Sequence, residues 1–104
     1  MRTTRARTSI SRSRYLFRLF VAGHERNSVL ATRNLAALCA ERLKGRHRIE
    51  IVDVLKSSAA ALKFRVLVTP TLMIVQPRPE VTVLGNLNDT AGLLAALQLD
   101  VRER

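Results

Sequence analysis

The sequence predicts one α/β domain, and three observations support this fold class. The chain has 104 residues, which is enough for one compact domain and too few for two. Short apolar runs typical of buried strands alternate with segments whose apolar residues recur at helical spacing. The order strand, helix, strand at the start favours a parallel pair, because a helix must cross over between parallel strands.

The first predicted strand begins at Tyr15. Its apolar run is short, rich in aromatic and branched side chains, and ends at a glycine, which is typical of a central strand buried on both faces. A helix is predicted over about 28–44. Asn27 or Ser28 can accept the free N–H groups of its first turn, and Gly45 can end it in the left-handed conformation.

A second strand and a short second helix follow. The strand is predicted over 49–54, where branched residues come after a basic corner at 42–48. Ser57 or Ser58 can cap a short helix that ends near Lys63, since alanine, leucine and lysine are good helix formers.

Two more strands are predicted over 72–75 and 81–84. Pro70, just before the first of them, is a candidate for a cis peptide bond. The prolines between the two strands prevent continued pairing and favour a turn, so the strands are predicted to be antiparallel.

Asn88 or Asp89 can begin a last helix, which carries leucines on one face and ends near residue 100. The resulting order is β-α-β-α-β-β-α, which is the order of a thioredoxin-like domain. A cis-proline loop that faces the first helix is a recurrent feature of such folds, and Pro70 stands in the corresponding loop.

Much of the positive charge lies at the start of the chain. The formal net charge is +10; residues 1–14 contain five arginines and no acid, whereas residues 15–104 contain thirteen basic and eight acidic residues. Residues 1–14 have almost nothing apolar, which predicts a disordered basic leader ahead of a domain over 15–104. A solvated leader or an overcalled start explains the segment best, with a nucleic-acid arm or a targeting peptide as the alternative.

Cysteine usage and hydropathy exclude several classes of protein. Cys39 is the single cysteine, so the chain cannot form an internal disulfide, a redox pair or a thiolate zinc cluster. Its place on the apolar stripe of the first helix predicts a core residue. Arg18 interrupts the most apolar run, which is far shorter than the roughly 20 residues of a membrane span. We expect a cytoplasmic protein that does not insert into a membrane.

The residues also argue against an enzyme. A thioredoxin-like oxidoreductase holds its nucleophilic thiol just after the first strand, but the corresponding loop, residues 23–28, has none. His24 and His47, with Glu50 and Asp53 as the carboxylates that could assist them, do not form a hydrolytic or metal-binding pattern. No glycine-rich phosphate loop is present. We expect no catalytic activity, cofactor or metal.

Four blocks of the sequence, with matching spacings between them, carry a family resemblance. They are Phe20-Val21-Ala22-Gly23 with Asn27-Ser28, Val52-Asp53-Val54-Leu55-Lys56, Thr69-Pro70-Thr71-Leu72, and Gly85 with Leu87. Over about residues 15–99, the sequence resembles the KaiB circadian clock proteins.

This resemblance implies a non-enzymatic adaptor that docks on the ring of the hexameric ATPase KaiC, in circadian timing or a related stress response. In the family, a thioredoxin-like monomer binds the ring and exchanges slowly with a tetrameric ground state. The ring is met by the edge of the second strand, which here carries Arg48 and Glu50, and by nearby basic positions, which here are Lys56 and Arg65. Val81 stands where many members are basic near the KaiA contact, which argues against capture of KaiA.

Departures from the family pattern lie in the last third of the chain. Gly85 and Asn86 begin a block that commonly reads Gly-Asp-Leu-Ser in the family, and Ala96 and Gln98 replace a Gly and an Asp. Alanine is more favourable than glycine inside a helix by up to about 1 kcal/mol, and glutamine than aspartate by a few tenths. These residues therefore predict that the thioredoxin-like monomer is favoured over the homotetramer.

Two other functions remain as alternatives. One is a KaiB paralogue without a clock role that binds another protein. The other is a basic protein associated with nucleic acid, although the leader has neither interleaved aromatic residues nor a base-reading helix.

Overall fold

The computed structural model describes residues 14–99, which form seven elements. These are β1 (Tyr15–Val21), α1 (Arg26–Arg42), β2 (His47–Asp53), α2 (Ser58–Lys63), β3 (Thr71–Gln76), β4 (Val81–Leu84) and α3 (Thr90–Ala96). The predicted order β-α-β-α-β-β-α is confirmed. All but the last residue of the predicted leader lies outside the described residues, so the leader stays a prediction.

The four strands form one sheet in the order β2-β1-β3-β4. β1 is central: Leu19 pairs with Ile51 of the parallel strand β2 and with Leu72 of the antiparallel strand β3. β3 and β4 are antiparallel. The predicted parallel first pair and antiparallel last pair are therefore both correct.

One face of the sheet carries the main hydrophobic core. Phe17 and Leu19 of β1 are wholly buried there, and they belong to one cluster with Leu35 of α1 and Leu94 of α3. Because successive side chains of a strand point to opposite faces, the odd-numbered residues of β1 supply this core. α1 and α3 are thus held by the same face of the sheet.

The opposite face is covered in a different way. Phe20 is wholly buried on this side, with its ring 5.5 Å from the ring of Phe64, which directly follows α2. No side chain of α2 is fully buried, although Ala60 and Ala61 are half-buried. α2 is joined to the sheet by the contact of the Phe64 ring with Phe20 and, at its start, by Ser57 N, which donates to Asp53 O at 3.0 Å.

The start of α1 differs from the prediction. The helix begins at Arg26, and its cap is Glu25, whose carboxylate accepts hydrogen bonds from the N–H groups of Asn27 and Ser28 at 3.0 Å. The predicted caps, Asn27 and Ser28, lie inside the helix. The Ser28 hydroxyl accepts from Ala22 N at 3.1 Å and donates to Glu25 at 2.8 Å, so it ties the helix to the end of β1.

The end of α3 also differs from the prediction, and the difference changes the role of Gln98. The helix ends at Ala96 rather than near residue 100, and Gln98 has a positive φ of 63°. Leu99 N donates to Leu94 O at 2.8 Å and Gln98 N to Ala95 O at 3.0 Å, which is the Schellman pattern. The prediction that Gln98 favours the helix through its propensity is wrong, because the residue lies beyond the helix.

A Gln98→Gly variant is expected to raise the free energy of unfolding by about 1 kcal/mol, because glycine adopts the left-handed conformation without a steric penalty. Ala96→Gly, in the last helical turn, is the matched control and is expected to lower it by up to about 1 kcal/mol. Urea unfolding measures both. A less stable Gln98→Gly protein would contradict this account of the helix end.

Candidate protein-docking site

The edge of the sheet at β2 carries two of the predicted contact residues. Within residues 14–99, β2 pairs only with β1, so its outer edge is open. Arg48 and Glu50 pair with Leu16 and Arg18 of β1, which places all four on the face opposite the main core. Arg48 is exposed, whereas Glu50 is half-buried.

Glu50 is bound within the protein. Its carboxylate accepts a hydrogen bond from Arg18 Nε at 3.0 Å, and the Arg18 guanidinium lies 4.8 Å from the centre of the Phe64 ring. Sequence reasoning treated Arg18 only as an interruption of an apolar run. The signal that could have identified it was a single cation in a central strand, which needs a partner when it is partly buried.

Lys56 lies just beyond the end of β2, in a turn organised by Asp53. The Asp53 carboxylate accepts from Gly23 N and Leu55 N, both at 3.0 Å, and Lys56 N donates to Asp53 O at 3.0 Å. The bond from Gly23, followed by that from Leu55, holds the pKa of Asp53 below its ordinary value. The turn thereby fixes the backbone from which the exposed Lys56 side chain projects.

Arg65 occupies a special backbone position at the end of α2. Val66 N donates to Ala61 O at 2.9 Å and Arg65 N to Leu62 O at 3.2 Å, which is again the Schellman pattern. Arg65 is the left-handed residue, with φ 57°, where glycine is usual. Its side chain is exposed.

The remaining predicted residues lie in a different part of the molecule. The Thr69–Pro70 peptide is cis, Pro70 is buried, and its carbonyl accepts from Gly85 N at 3.0 Å. Asn86 donates from its side-chain amide to Asn27 Oδ1 at 3.3 Å. Gly85 and Asn86 thus connect the proline loop and the start of α3 to α1, and they belong to the scaffold.

The loop at the start of α1 contains no thiol in the thioredoxin nucleophile position. The loop instead carries the Glu25 carboxylate, which caps α1. The pKa of this carboxylate is lowered chiefly by the hydrogen bond from the Ser28 hydroxyl and then by that from the Asn27 N–H. Cys39 is wholly buried in the core, and burial raises the pKa of its thiol to about 11.

Acid is expected to destabilise the fold through Glu25 and Asp53. Both pKa values are lowered in the folded state, so the stabilisation is complete above the ordinary carboxyl pKa and is lost as the pH falls below about 4. Urea unfolding at a series of pH values measures this loss. In the Glu25→Gln variant, the free energy of unfolding is expected to fall less steeply as the pH is lowered. An unchanged pH dependence would contradict the assignment of this acid sensitivity to Glu25.

The described residues show no grouping of three or more histidine, cysteine, aspartate or glutamate side chains that could hold a metal ion. Across the same part of the chain, every helix is too short or too polar to cross a membrane.

Residues 18–99 match the family model described as the KaiB domain. The chain belongs to the KaiB family. It is 35% identical over 99 residues to the circadian clock oscillator protein KaiB of Microcystis aeruginosa, covering 92% of this chain and 95% of the relative. The KaiB of Rippkaea orientalis is 36% identical over 93 residues, covering 86% and 89% of the two chains.

Solved structures agree on the thioredoxin-like fold of this KaiB family member. The N-terminal domain of Synechococcus elongatus SasA has a TM-score of 0.68 at 19% identity, covering 88% of this chain and 90% of that one. Mitochondrial thioredoxin 3 of Saccharomyces cerevisiae has a TM-score of 0.66 at 21% identity, covering 93% and 90%. At these identities the likeness concerns the fold alone.

Proposed function

We propose that this protein is a cytoplasmic, non-enzymatic adaptor that docks on the ATPase ring of a KaiC-type protein, in circadian timing or a related stress response. The observation that carries the proposal is the KaiB domain match over residues 18–99, which contains most of β1 and every later element of the fold. The clock oscillator names of the curated relatives support the same reading.

Arg48, Lys56 and Arg65 are the cations that we assign to the ring contact. All three side chains are exposed. Glu50 belongs to the same region, but its carboxylate is paired with Arg18, so its role in this proposal is to hold Arg18 on Phe64. The contact surface is then dominated by positive charge, which steers an acidic partner surface toward it.

We also propose that the thioredoxin-like monomer is the main state in solution, with the homotetramer as the minor one. Because Gln98 lies beyond the end of α3, only Ala96 favours the monomer through its helix propensity. This contribution is at most about 1 kcal/mol. Sedimentation and amide chemical shifts measure the balance. A tetrameric mass together with strand shifts over residues 93–100 would contradict the proposal.

Capture of KaiA is not part of the proposal. Val81, the first residue of β4, is half-buried and packs against the main core cluster. The family resemblance implies a basic contact residue at this position, but valine carries no charge.

Binding to a cognate KaiC-type ATPase in the presence of ATP tests the function. The full chain and a chain beginning at Tyr15 are compared, because the basic leader could bind non-specifically. Equal binding of the two chains is expected. Binding by the full chain alone, abolished by salt, would instead support electrostatic association with a polyanion such as nucleic acid.

A further inference from the structure

The segment from Leu55 to Val68 exposes more apolar surface than its place in the fold requires. Leu67 is 92% exposed, Leu62 82% and Leu55 72%. Large apolar side chains exposed singly are ordinary, whereas contiguous ones mark an interaction surface, and these three all lie within residues 55–67. No side chain of the α2 helix, which lies within this segment, is fully buried, so packing inside the protein does not account for Leu62.

The same segment is purely cationic. Lys56, Lys63 and Arg65 lie in it, and the sequence has no acidic residue between Asp53 and Glu80. The carboxylate nearest in sequence, that of Asp53, accepts hydrogen bonds from Gly23 N and Leu55 N and also interacts electrostatically with Lys56, which leaves Lys63 and Arg65 without a carboxylate on this segment. We call the exposed side chains of residues 55–68 the cationic apolar surface.

We propose that the cationic apolar surface binds a protein segment that presents carboxylates beside leucine-like side chains. Charge complementarity selects the carboxylates, and exposed Leu62 and Leu67 select the apolar residues. The inference deepens the proposed function, because Lys56 and Arg65 belong to both, and it adds Leu62 and Leu67 as determinants of partner choice.

Two other occupants fit this surface less well. Single-stranded nucleic acid needs aromatic faces on which bases stack, but Phe64 is half-buried against Phe20, with Arg18 over its ring. A membrane-surface helix presents a long apolar face, whereas α2 has six residues. A protein segment needs only a few apolar contacts and matched charge.

The test uses the full-length protein labelled with ¹⁵N and a synthetic helical peptide built from glutamate and leucine. Saturable amide shifts are expected within residues 55–68. Peptides in which every leucine is serine, or every glutamate is lysine, are expected to bind about tenfold more weakly or not at all. Shifts centred elsewhere, equal binding of the serine peptide, or binding of phosphatidylglycerol vesicles in place of the acidic peptide would overturn the proposal.

A double variant, Leu62→Ser with Leu67→Ser, extends the test to the KaiC-type ATPase. Because both side chains are exposed, the variant is expected to fold normally and to lose about tenfold in affinity for both peptide and ATPase. Val29→Thr, which changes an exposed apolar side chain of α1, is the control and is expected to bind as the unchanged protein does.

The two proposals fail in distinguishable ways. If the ATPase binds the double variant and the unchanged protein equally, the cationic apolar surface is not its docking site and the inference is wrong, while the proposed function stands. If the acidic peptide binds at residues 55–68 but the ATPase does not bind at all, the surface proposal stands and the proposed function is wrong.

Discussion

Replacing Phe20 with alanine is expected to lower the free energy of unfolding by about 3–5 kcal/mol, the usual cost of removing a buried aromatic side chain. Phe20 is wholly buried, and its ring packs on Phe64. The change would leave a cavity beneath the end of α2. Urea unfolding followed by circular dichroism measures the loss.

Phe64→Leu is the matched control for Phe20→Ala. Phe64 is half-buried and its replacement keeps an apolar side chain over Phe20, so the expected loss is less than half as large. Equal losses in the two proteins would show that Phe20 is not the anchor of this face.

Reversing the charges of Lys56 and Arg65 together is expected to weaken binding to the KaiC-type ATPase about 100-fold, or about 2.7 kcal/mol. The reason is that glutamates would replace two of the exposed cations assigned to the ring contact. The dissociation constant at fixed salt is the measurement. In a matched control, the charges of Arg33 and Arg78 are reversed. These two side chains are exposed outside this region, and the control protein has the same net charge as the Lys56 and Arg65 variant.

A loss of affinity in the Arg33 and Arg78 control equal to that in the Lys56 and Arg65 protein would mean that net charge, rather than position, determines binding.

Arg65→Gly separates the contribution of Arg65 to binding from its contribution to stability. Because Arg65 has φ 57°, glycine is expected to hold or raise the free energy of unfolding while binding weakens about tenfold. A loss of both would contradict the assignment of Arg65 to the contact.

Hydrophobic patterning accounts for most of the fold that could be predicted. The run at Tyr15 marks the central strand because a strand flanked on both sides must bury nearly every side chain. The helix ends were harder to predict. Glu25 is not among the residues that most often cap helices, and a left-handed residue at Arg65 or Gln98 has no signal when glycine is absent.

The candidate site was only partly predictable. Arg48, Lys56 and Arg65 could be singled out through the family resemblance, and the structure leaves all three exposed. The pairing of Glu50 with Arg18 was not predictable, because it joins residues on neighbouring strands whose register only the folded sheet defines. The same holds for the stacking of Arg18 on Phe64.

The two faces of the sheet are covered by different helices, and this arrangement affects which parts of the protein can change in evolution or by engineering. α1 and α3 share one face and one core, whereas α2 lies apart and is joined to the sheet mainly through Phe64. Substitutions on α2 therefore do not disturb the main core. If the cationic apolar surface is the docking site, substitutions at Leu62 are expected to change partner preference while the main core is kept.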